Sequence, residues 1–275
     1  VTPPVSLQEG TSMRASLDVV VPVHNEQAVL RSSVERLHAY VQEALPDLEV
    51  QITIADNAST DRTAALALEL AADLPGVRLR RLEQKGRGRA LRSAWGASEA
   101  DLVAYMDVDL STDLSALAPL VQPLLAYEAD IAFGSRLAPG SEVERSFKRE
   151  LMSRTYNMLV KRLLHARFSD AQCGFKAARR DSLLPILDEI ENQNWFFDTE
   201  LLYVAQQEGL TLFELPVHWV EDRDSSVRLA ATVVEDLRGI RRLRRGREGS
   251  CKSRRDDRNL QGSLHGSQSA GSEPT

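Results

Sequence analysis

Five short apolar runs, each cut off by charged or turn-forming residues, limit what this chain can fold into more than any other feature. They cover residues 17–23, 48–55, 77–82, 102–106 and 129–136. Helical spacing separates them. Val29, Leu30, Val34, Leu37, Val41 and Leu45 recur at three- and four-residue intervals after the first run. An alanine- and leucine-rich stretch from about residue 62 to 72 follows the second. Further helices are expected up to Ala97 and around residues 114–125. Strands alternating with helices predict an α/β fold, a mostly parallel sheet with helices on both faces. Right-handed crossovers bring the polar strand exits to one edge, where open α/β sheets bind ligands.

That edge collects Asn25, Glu26, Asp56, Asp61, Lys85, Asp107, Asp109 and Arg136. Any one of them alone is explained by a solvated loop. The fourth run is the most informative, because Leu102-Val103-Ala104-Tyr105-Met106 stops in Asp107-Val108-Asp109. In an extended segment this spacing puts both carboxylates on one side. Two unpaired charges are not tolerated in the middle of a buried strand, so they belong at its exit. Two adjacent oxygen donors suit a hard cation, Mg²⁺ or Mn²⁺, and such a cation suits a diphosphate. A strand followed by a polar turn accounts for the pair by itself; five charged exits in succession weigh toward a nucleotide site. Neither usual phosphate loop is present. GxxxxGK[ST] is absent, and Gly86-Arg87-Gly88 does not continue as GxGxxG, since Leu91 stands at the third glycine position. Phosphate is therefore expected on a metal and basic side chains.

In order along the chain, Pro22-Val23-His24-Asn25-Glu26, Asp56-Asn57-Ala58-Ser59-Thr60-Asp61, Lys85-Gly86-Arg87-Gly88 and Asp107-Val108-Asp109 resemble the family 2 glycosyltransferases of GT-A fold. Asp170-Ala171-Gln172-Cys173-Gly174-Phe175-Lys176, the segment from Trp195 to Leu202, and Glu214-Leu215-Pro216-Val217-His218-Trp219 narrow the resemblance to the polyprenyl-phosphate (dolichyl-phosphate) glucosyl- and mannosyltransferase branch. It covers roughly residues 16–229. The resemblance implies that Pro22, Asn25 and Glu26 line a nucleotide pocket and that Asp56 faces the base or ribose. It implies that Lys85 and Gly86 close over the nucleotide and that Asp107 and Asp109 hold Mg²⁺ or Mn²⁺. Arg136 and Arg149 match basic positions that meet a lipid phosphate in relatives. His24 replaces a more usual tyrosine, and Asn57 a common second aspartate. Ser111 stands where mannosyl relatives often carry glutamine, which favours UDP-glucose over GDP-mannose as donor. Inversion at the anomeric carbon is implied by the family alone.

An acceptor hydroxyl would need a general base, whereas a lipid monophosphate is largely ionised at neutral pH. Asp198 is the carboxylate to weigh. Followed by Glu200, Leu201, Leu202 and Val204, it reads either as a helix N-cap or as a catalytic group, and the two are compatible. At least two of Trp195, Phe196 and Phe197 are expected in the core. Cys173 reads as a buried small residue and His218 as structural.

With 43% hydrophobic and 27% charged residues among 275, the chain is of ordinary globular composition. Two cysteines, Cys173 and Cys251, are too few for a disulfide framework, so a reduced, cytoplasmic setting is expected. No apolar run approaches the ~18–20 residues of a membrane span, which leaves a peripheral place at the inner membrane face. Residues 1–15 read as a flexible leader, 16–226 as the GT-A domain, 227–245 as a basic amphipathic helix and 246–275 as a disordered tail. From Leu237 to Arg258 ten basic residues face three acidic ones in a chain of net charge −6. Such a helix fits an anionic membrane surface or simply solvent, and no motif of nucleic-acid binding accompanies it. Three other readings stand beside a hexosyl transfer to polyprenyl phosphate. One is a family 2 transferase with a hydroxyl acceptor. Another is a nucleotidyltransferase, disfavoured by the lack of an early glycine-rich basic loop. The last is a non-catalytic sugar-nucleotide-binding regulator.

Overall fold

The computed structural model describes residues 14–221 and 234–245. In chain order the elements begin β1 (Ser16–Val23), α1 (Leu30–Ala44), β2 (Glu49–Asn57), α2 (Thr63–Asp73), β3 (Val77–Leu82), α3 (Arg87–Ala97) and β4 (Leu102–Met106). A 3₁₀ turn (Leu114–Ala116) then leads into α4 (Leu117–Leu125), β5 (Ile131–Ser135), β6 (Glu142–Glu144) and α5 (Phe147–Leu164). The chain continues through β7 (Phe175–Arg179), α6 (Arg180–Leu187), α7 (Phe197–Gln207), β8 (Leu212–Pro216) and β9 (His218–Val220). Residues 234–245 are helical.

Seven strands form one sheet in the order β3-β2-β1-β4-β7-β5-β8. β3, β2, β1 and β4 are mutually parallel, and β5 is parallel to β8. β7 runs antiparallel to both β4 and β5, so those two share a direction and all six parallel strands exit at one edge. The expected α/β sheet is therefore observed, with two strands beyond the five apolar runs, β7 and β8. Residues 175–179 form a single reversed strand wedged between β4 and β5, and the turn before it carries Asp170, Cys173 and Gly174 to the exit edge.

Alternation divides the core into two layers. Leu17, Val19 and Val21 of β1 face the cluster holding Leu30, Val34, Leu37 and Val41 of α1. Val20 faces the opposite cluster, with Leu91 and Trp95 of α3, Leu164 of α5 and Leu201 of α7. The stretch from Leu212 to Val220 divides into β8 and β9 at Val217. Its buried side chain packs over Gly134, its N–H donates to Ser135 O at 3.2 Å, and its carbonyl accepts from Glu142 N at 3.2 Å. The chain thus passes from the main sheet into the small β6–β9 sheet.

Residues 1–13 of the expected leader, 227–233 of the expected helix and the tail 246–275 lie outside the described residues. Among the described residues, no helix is long and apolar enough to cross a membrane.

Candidate active site

Backbone strain concentrates at the exits. Asn25 after β1, Ala58 after β2 and Leu110 after β4 all have φ between 52° and 58°. This left-handed region is uncommon for side-chain-bearing residues and gathers at functional sites. The β1 and β2 exits are stitched together. Thr60 N donates to Asn25 Oδ1 at 2.8 Å, Asn25 N to Ser59 Oγ at 3.0 Å, and Glu26 N to Thr63 Oγ1 at 2.8 Å. Asn25 therefore acts as a loop clamp, and Glu26 and Pro22 sit half-buried beside it. Asn57 Oδ1 accepts from Gly86 N at 2.7 Å, which holds the Lys85–Gly86 segment against β2. Gly86 leaves no room for a side chain, since a Cβ there would lie 2.6 Å from Gln193 O. Lys85 itself is exposed.

Asp56 is fully buried. Its Oδ1 accepts from Ser59 N at 3.1 Å, while Oδ2 has Arg81 Nε at 3.5 Å but no hydrogen bond. Buried polar atoms are nearly always bonded. Three that are not, Asp56 Oδ2, Ser111 Oγ and Arg87 Nε, belong to these exits. Asp61 binds the start of α2, accepting from Thr63 N at 2.9 Å.

Behind the Asp107/Asp109 pair lies a buried charge cluster that sequence reasoning missed. Asp198 is 2% exposed. Its Oδ1 takes the Tyr105 hydroxyl and lies 2.9 Å from Lys176 Nζ, and its Oδ2 lies 3.6 Å from Arg87 Nε. Lys176, buried in β7, also donates to Cys173 O at 2.6 Å. Arg87 Nη1 lies 2.7 Å from Asp107 Oδ1, and the guanidinium stands over the rings of Tyr105 (5.3 Å) and Trp195 (4.7 Å). Burial opposes the Arg87 cation, but Asp107, Tyr105 and Asp198 outweigh it and hold it well above its ordinary value. Burial pushes the Tyr105 phenol well up, and Asp198 adds to it. Two acids and two cations thus balance.

The N-cap reading of Asp198 is corrected here. The cap position of α7 is Phe196, and Asp198 sits inside the first turn with its side chain turned into this cluster. Phe196 and Phe197 are core, as expected, and Trp195 is exposed. Gly88 lets Phe197 pack directly on α3, since a Cβ would meet the Phe197 ring at 2.8 Å. Cys173 is buried and its thiol is pushed up to about 12, chiefly by burial, so it is no nucleophile.

At the β5 exit, Arg136 grips buried Asp170 through Nε (2.7 Å) and Nη2 (2.9 Å). Arg136 is held above its ordinary value: burial opposes the cation and Asp170 outweighs it. Asp170 falls to about 2, because Arg136 outweighs the burial that would raise it. Arg149, on the first turn of α5, pairs with Glu221 at 2.5 Å.

The helical segment 234–245 fastens the loops that bear these groups. Gly239 packs against Phe196, where a Cβ would lie 2.3 Å from the ring. Arg242 Nη2 meets buried Glu200 at 2.7 Å, and Glu200 accepts from Glu191 N and Asn192 N. Gln172 donates to Asp236 at 3.2 Å. Asp236 is 4% exposed, with Gln172, Glu235 and Tyr156 around it, and burial raises its carboxyl to about 7. The unfolded value is near 4. Between these values the folded form keeps a proton that the unfolded chain has released, so stability falls as pH rises from about 4 to about 7. Asp236→Asn is expected to remove that fall and to stabilise the protein at pH 8 by roughly 1–3 kcal/mol. Thermal melts of both proteins from pH 5 to 8 check this; parallel curves contradict it.

Asp107 and Asp109 fit a divalent cation that is shared with a ligand. No group of three or more ligating side chains exists among the described residues, but one or two carboxylates plus substrate phosphates is the usual Mg²⁺ arrangement. Asp107 is half-buried, and Asp109 is exposed and accepts from Ser111 N at 2.9 Å. Gly174 opposes Asp107 across the β4–β7 entrance. Asp107 N donates to Gly174 O at 3.1 Å, and a Cβ on Gly174 would sit 1.8 Å from Asp107 Oδ2. Gly174→Ala is expected to cost only about 1–3 kcal/mol, because the carboxylate can swing away. That swing moves Asp107 out of reach of a cation held with Asp109, and with that expected metal site activation by Mn²⁺ is expected to require about tenfold more metal. An unchanged metal titration contradicts the assignment.

The mostly parallel sheet gathers these charged groups at one edge, and the sequence profile of glycosyl transferase family 2 matches residues 18–186. The chain belongs to that family. It is 35% identical to glycosyltransferase AglD of Haloferax volcanii over 84% of its own length, and it spans 36% of that protein. It is 29% identical to the dolichyl-phosphate beta-glucosyltransferase of Dictyostelium discoideum, over 83% of this chain and 73% of the relative. The fold matches glucosyl-3-phosphoglycerate synthase of Mycobacterium tuberculosis in complex with Mn²⁺, UDP-glucose and phosphoglyceric acid. That match has a TM-score of 0.62 and 18% identity, and covers 84% of this chain and 80% of the other.

Proposed function

We propose that the chain transfers a hexose from a nucleotide sugar to a polyprenyl phosphate with inversion, glucose from UDP-glucose being favoured. One observation carries the acceptor assignment. Both carboxylate oxygens of buried Asp198 are taken by Tyr105, Lys176 and Arg87, whereas Arg136 and Arg149, held in place by Asp170 and Glu221, stand at the β5 exit and on α5. Asp198 is therefore not free to deprotonate a hydroxyl, and a phosphate acceptor has no need of a base. Its second pKa near ~6 leaves it largely ionised at neutral pH. Guanidinium groups suit the task of holding it. The names of the relatives agree with this reading.

A phosphate oxygen of the acceptor attacks the anomeric carbon, the bond from that carbon to the β-phosphate oxygen breaks, and the nucleoside diphosphate leaves with the electron pair. Asp107 and Asp109 would hold Mg²⁺ or Mn²⁺, which would supply charge neutralisation at the departing diphosphate. Arg87 and Lys85 add cationic support from α3 and the segment before it. Asp56, with Asn25, Glu26 and Pro22, offers the base and ribose a polar wall. Asp198 orients Arg87, Lys176 and Tyr105. The exposed face of residues 234–245 carries Val234, Leu237, Arg238 and Arg241, and the proposal includes an anionic membrane surface as its partner.

The donor is tested by calorimetric titration of UDP and GDP in Mn²⁺. UDP is expected to bind more tightly, and Asp56→Ala to narrow the difference. Tighter binding of GDP moves the donor to GDP-mannose.

A further inference from the structure

The two oxygens of Asp107 face different neighbours. Oδ2 points at the place of the missing Gly174 side chain, 1.8 Å from where a Cβ would stand. Oδ1 is turned away from that backbone, and it already holds a guanidinium, with Arg87 Nη1 at 2.7 Å. A divalent cation on the same oxygen, at about 2.1 Å, would stand no more than about 5 Å from that nitrogen. A single and a double positive charge so close oppose each other strongly where water is scarce. Arg87 is nonetheless held in a way that lets it leave. Its Nε is buried without a hydrogen bond and lies 3.6 Å from Asp198 Oδ2. The rings of Tyr105 and Trp195 flank its guanidinium at 5.3 and 4.7 Å, contacts that tolerate sliding. Asp198 keeps Lys176 at 2.9 Å together with Tyr105, so the departure of Arg87 does not strand that carboxylate. Arg87 opens α3 directly after Gly86, in the segment assigned to the nucleotide, and its planar fork fits a phosphate as well as a carboxylate.

We propose that Arg87 is a lock on the metal site: it holds Asp107 Oδ1 until a nucleoside diphosphate arrives, then passes to the diphosphate and leaves that oxygen to the cation. The site accepts a divalent cation and a nucleoside diphosphate together and resists the cation alone. Each ligand therefore tightens the binding of the other by the same factor. The lock rests on the reading of Asp107 and Asp109 as metal ligands beside a diphosphate. It assigns Arg87 a step that this reading does not require, since two carboxylates and a diphosphate can hold a cation without a gate. Arg87 is a positioning residue before the ligands bind and a diphosphate ligand afterwards.

The test is a Mn²⁺ titration of the full chain, read by electron paramagnetic resonance, with and without UDP. The parent is expected to bind Mn²⁺ about tenfold or more tightly once UDP is present. Arg87→Met is expected to bind Mn²⁺ alone about tenfold more tightly than the parent does, and to gain less from UDP. Lys85→Met separates occupancy of Oδ1 from net charge. It removes an equal charge from the neighbouring segment at an exposed position, and is expected to leave the binding of Mn²⁺ alone within about twofold of the parent. A measurement on the parent does not depend on the folding of a variant at Arg87. The emission of Trp195, identified by its loss in Trp195→Phe, is expected to change when UDP and Mn²⁺ bind together, because the guanidinium leaves its ring. An Arg87→Met protein that folds and binds Mn²⁺ alone no more tightly than the parent overturns the lock. So does Lys85→Met with the same gain, or Trp195 emission unchanged by UDP and Mn²⁺. A parent that holds no Mn²⁺ even with UDP, beyond what UDP binds in buffer, overturns the metal assignment and the lock with it. The two failures are thereby told apart.

Discussion

Asp109→Asn is expected to lower turnover by about 10²- to 10³-fold with the fold intact. The substitution is mild structurally. Asp109 is exposed, and its hydrogen bond from Ser111 N is one that an asparagine carbonyl oxygen accepts equally well. What disappears is one negative charge at the exit of β4, beside the site assigned to the diphosphate. Asp107 differs because it also balances Arg87 at 2.7 Å. Its replacement removes a metal ligand and frees a buried cation together, which makes Asp109 the cleaner probe. Initial rates at saturating metal, with melting temperatures of both proteins, check the expectation. Turnover within about threefold of the parent would remove Asp109 from the metal site.

Asp198→Ala is expected to destabilise the protein by about 3–5 kcal/mol and to abolish turnover. The carboxylate is the shared partner of Lys176, Arg87 and Tyr105, all buried or nearly so. Its loss leaves Lys176, 1% exposed, without its ion-pair partner and with hydrogen bonds to Tyr105 and a backbone carbonyl. A buried ion pair replaced as a unit by apolar residues of similar size often costs little. Asp198→Leu/Lys176→Met is therefore expected to recover much of the stability lost in the single variant, without recovering turnover. Urea denaturation together with rates reads both quantities. If the double variant also regains activity, the cluster serves packing alone. If Asp198→Ala unfolds at the parent's midpoint, the cluster is not the charge balance described.

The exits were legible because each strand is a local pattern that stops abruptly, and a parallel sheet converts five local stops into one edge. Asp107 and Asp109 needed no long-range information, since alternation within one strand sets them side by side. The partners were not legible. Asp198 meets Tyr105 93 residues away, and neither position carries a periodic signal. Tyr105 reads as a core aromatic within β4, and Arg87 between two glycines reads as a broken phosphate loop. Lys176 falls in β7, a five-residue strand whose reversal depends on pairing with β4 and β5 and not on its own composition. One signal was available: a lysine between Phe175 and Ala177, all buried, demands an internal acid. Asp198 resembled a cap because an acid precedes Glu200 and an apolar run, yet α7 starts two residues earlier than that pattern suggests. The division of residues 212–220 depends on Val217 fitting over Gly134, a contact no spacing rule contains.

The most direct test of the whole account is a turnover panel in Mg²⁺ or Mn²⁺. UDP-glucose, GDP-mannose and other sugar nucleotides are each incubated with and without a short polyprenyl phosphate, and nucleotide release and glycolipid are measured together. The account predicts release of UDP from UDP-glucose that depends on both the lipid and the metal, with one glucosyl lipid formed per UDP. Nucleotide release that is indifferent to the lipid phosphate, from every donor, would contradict it.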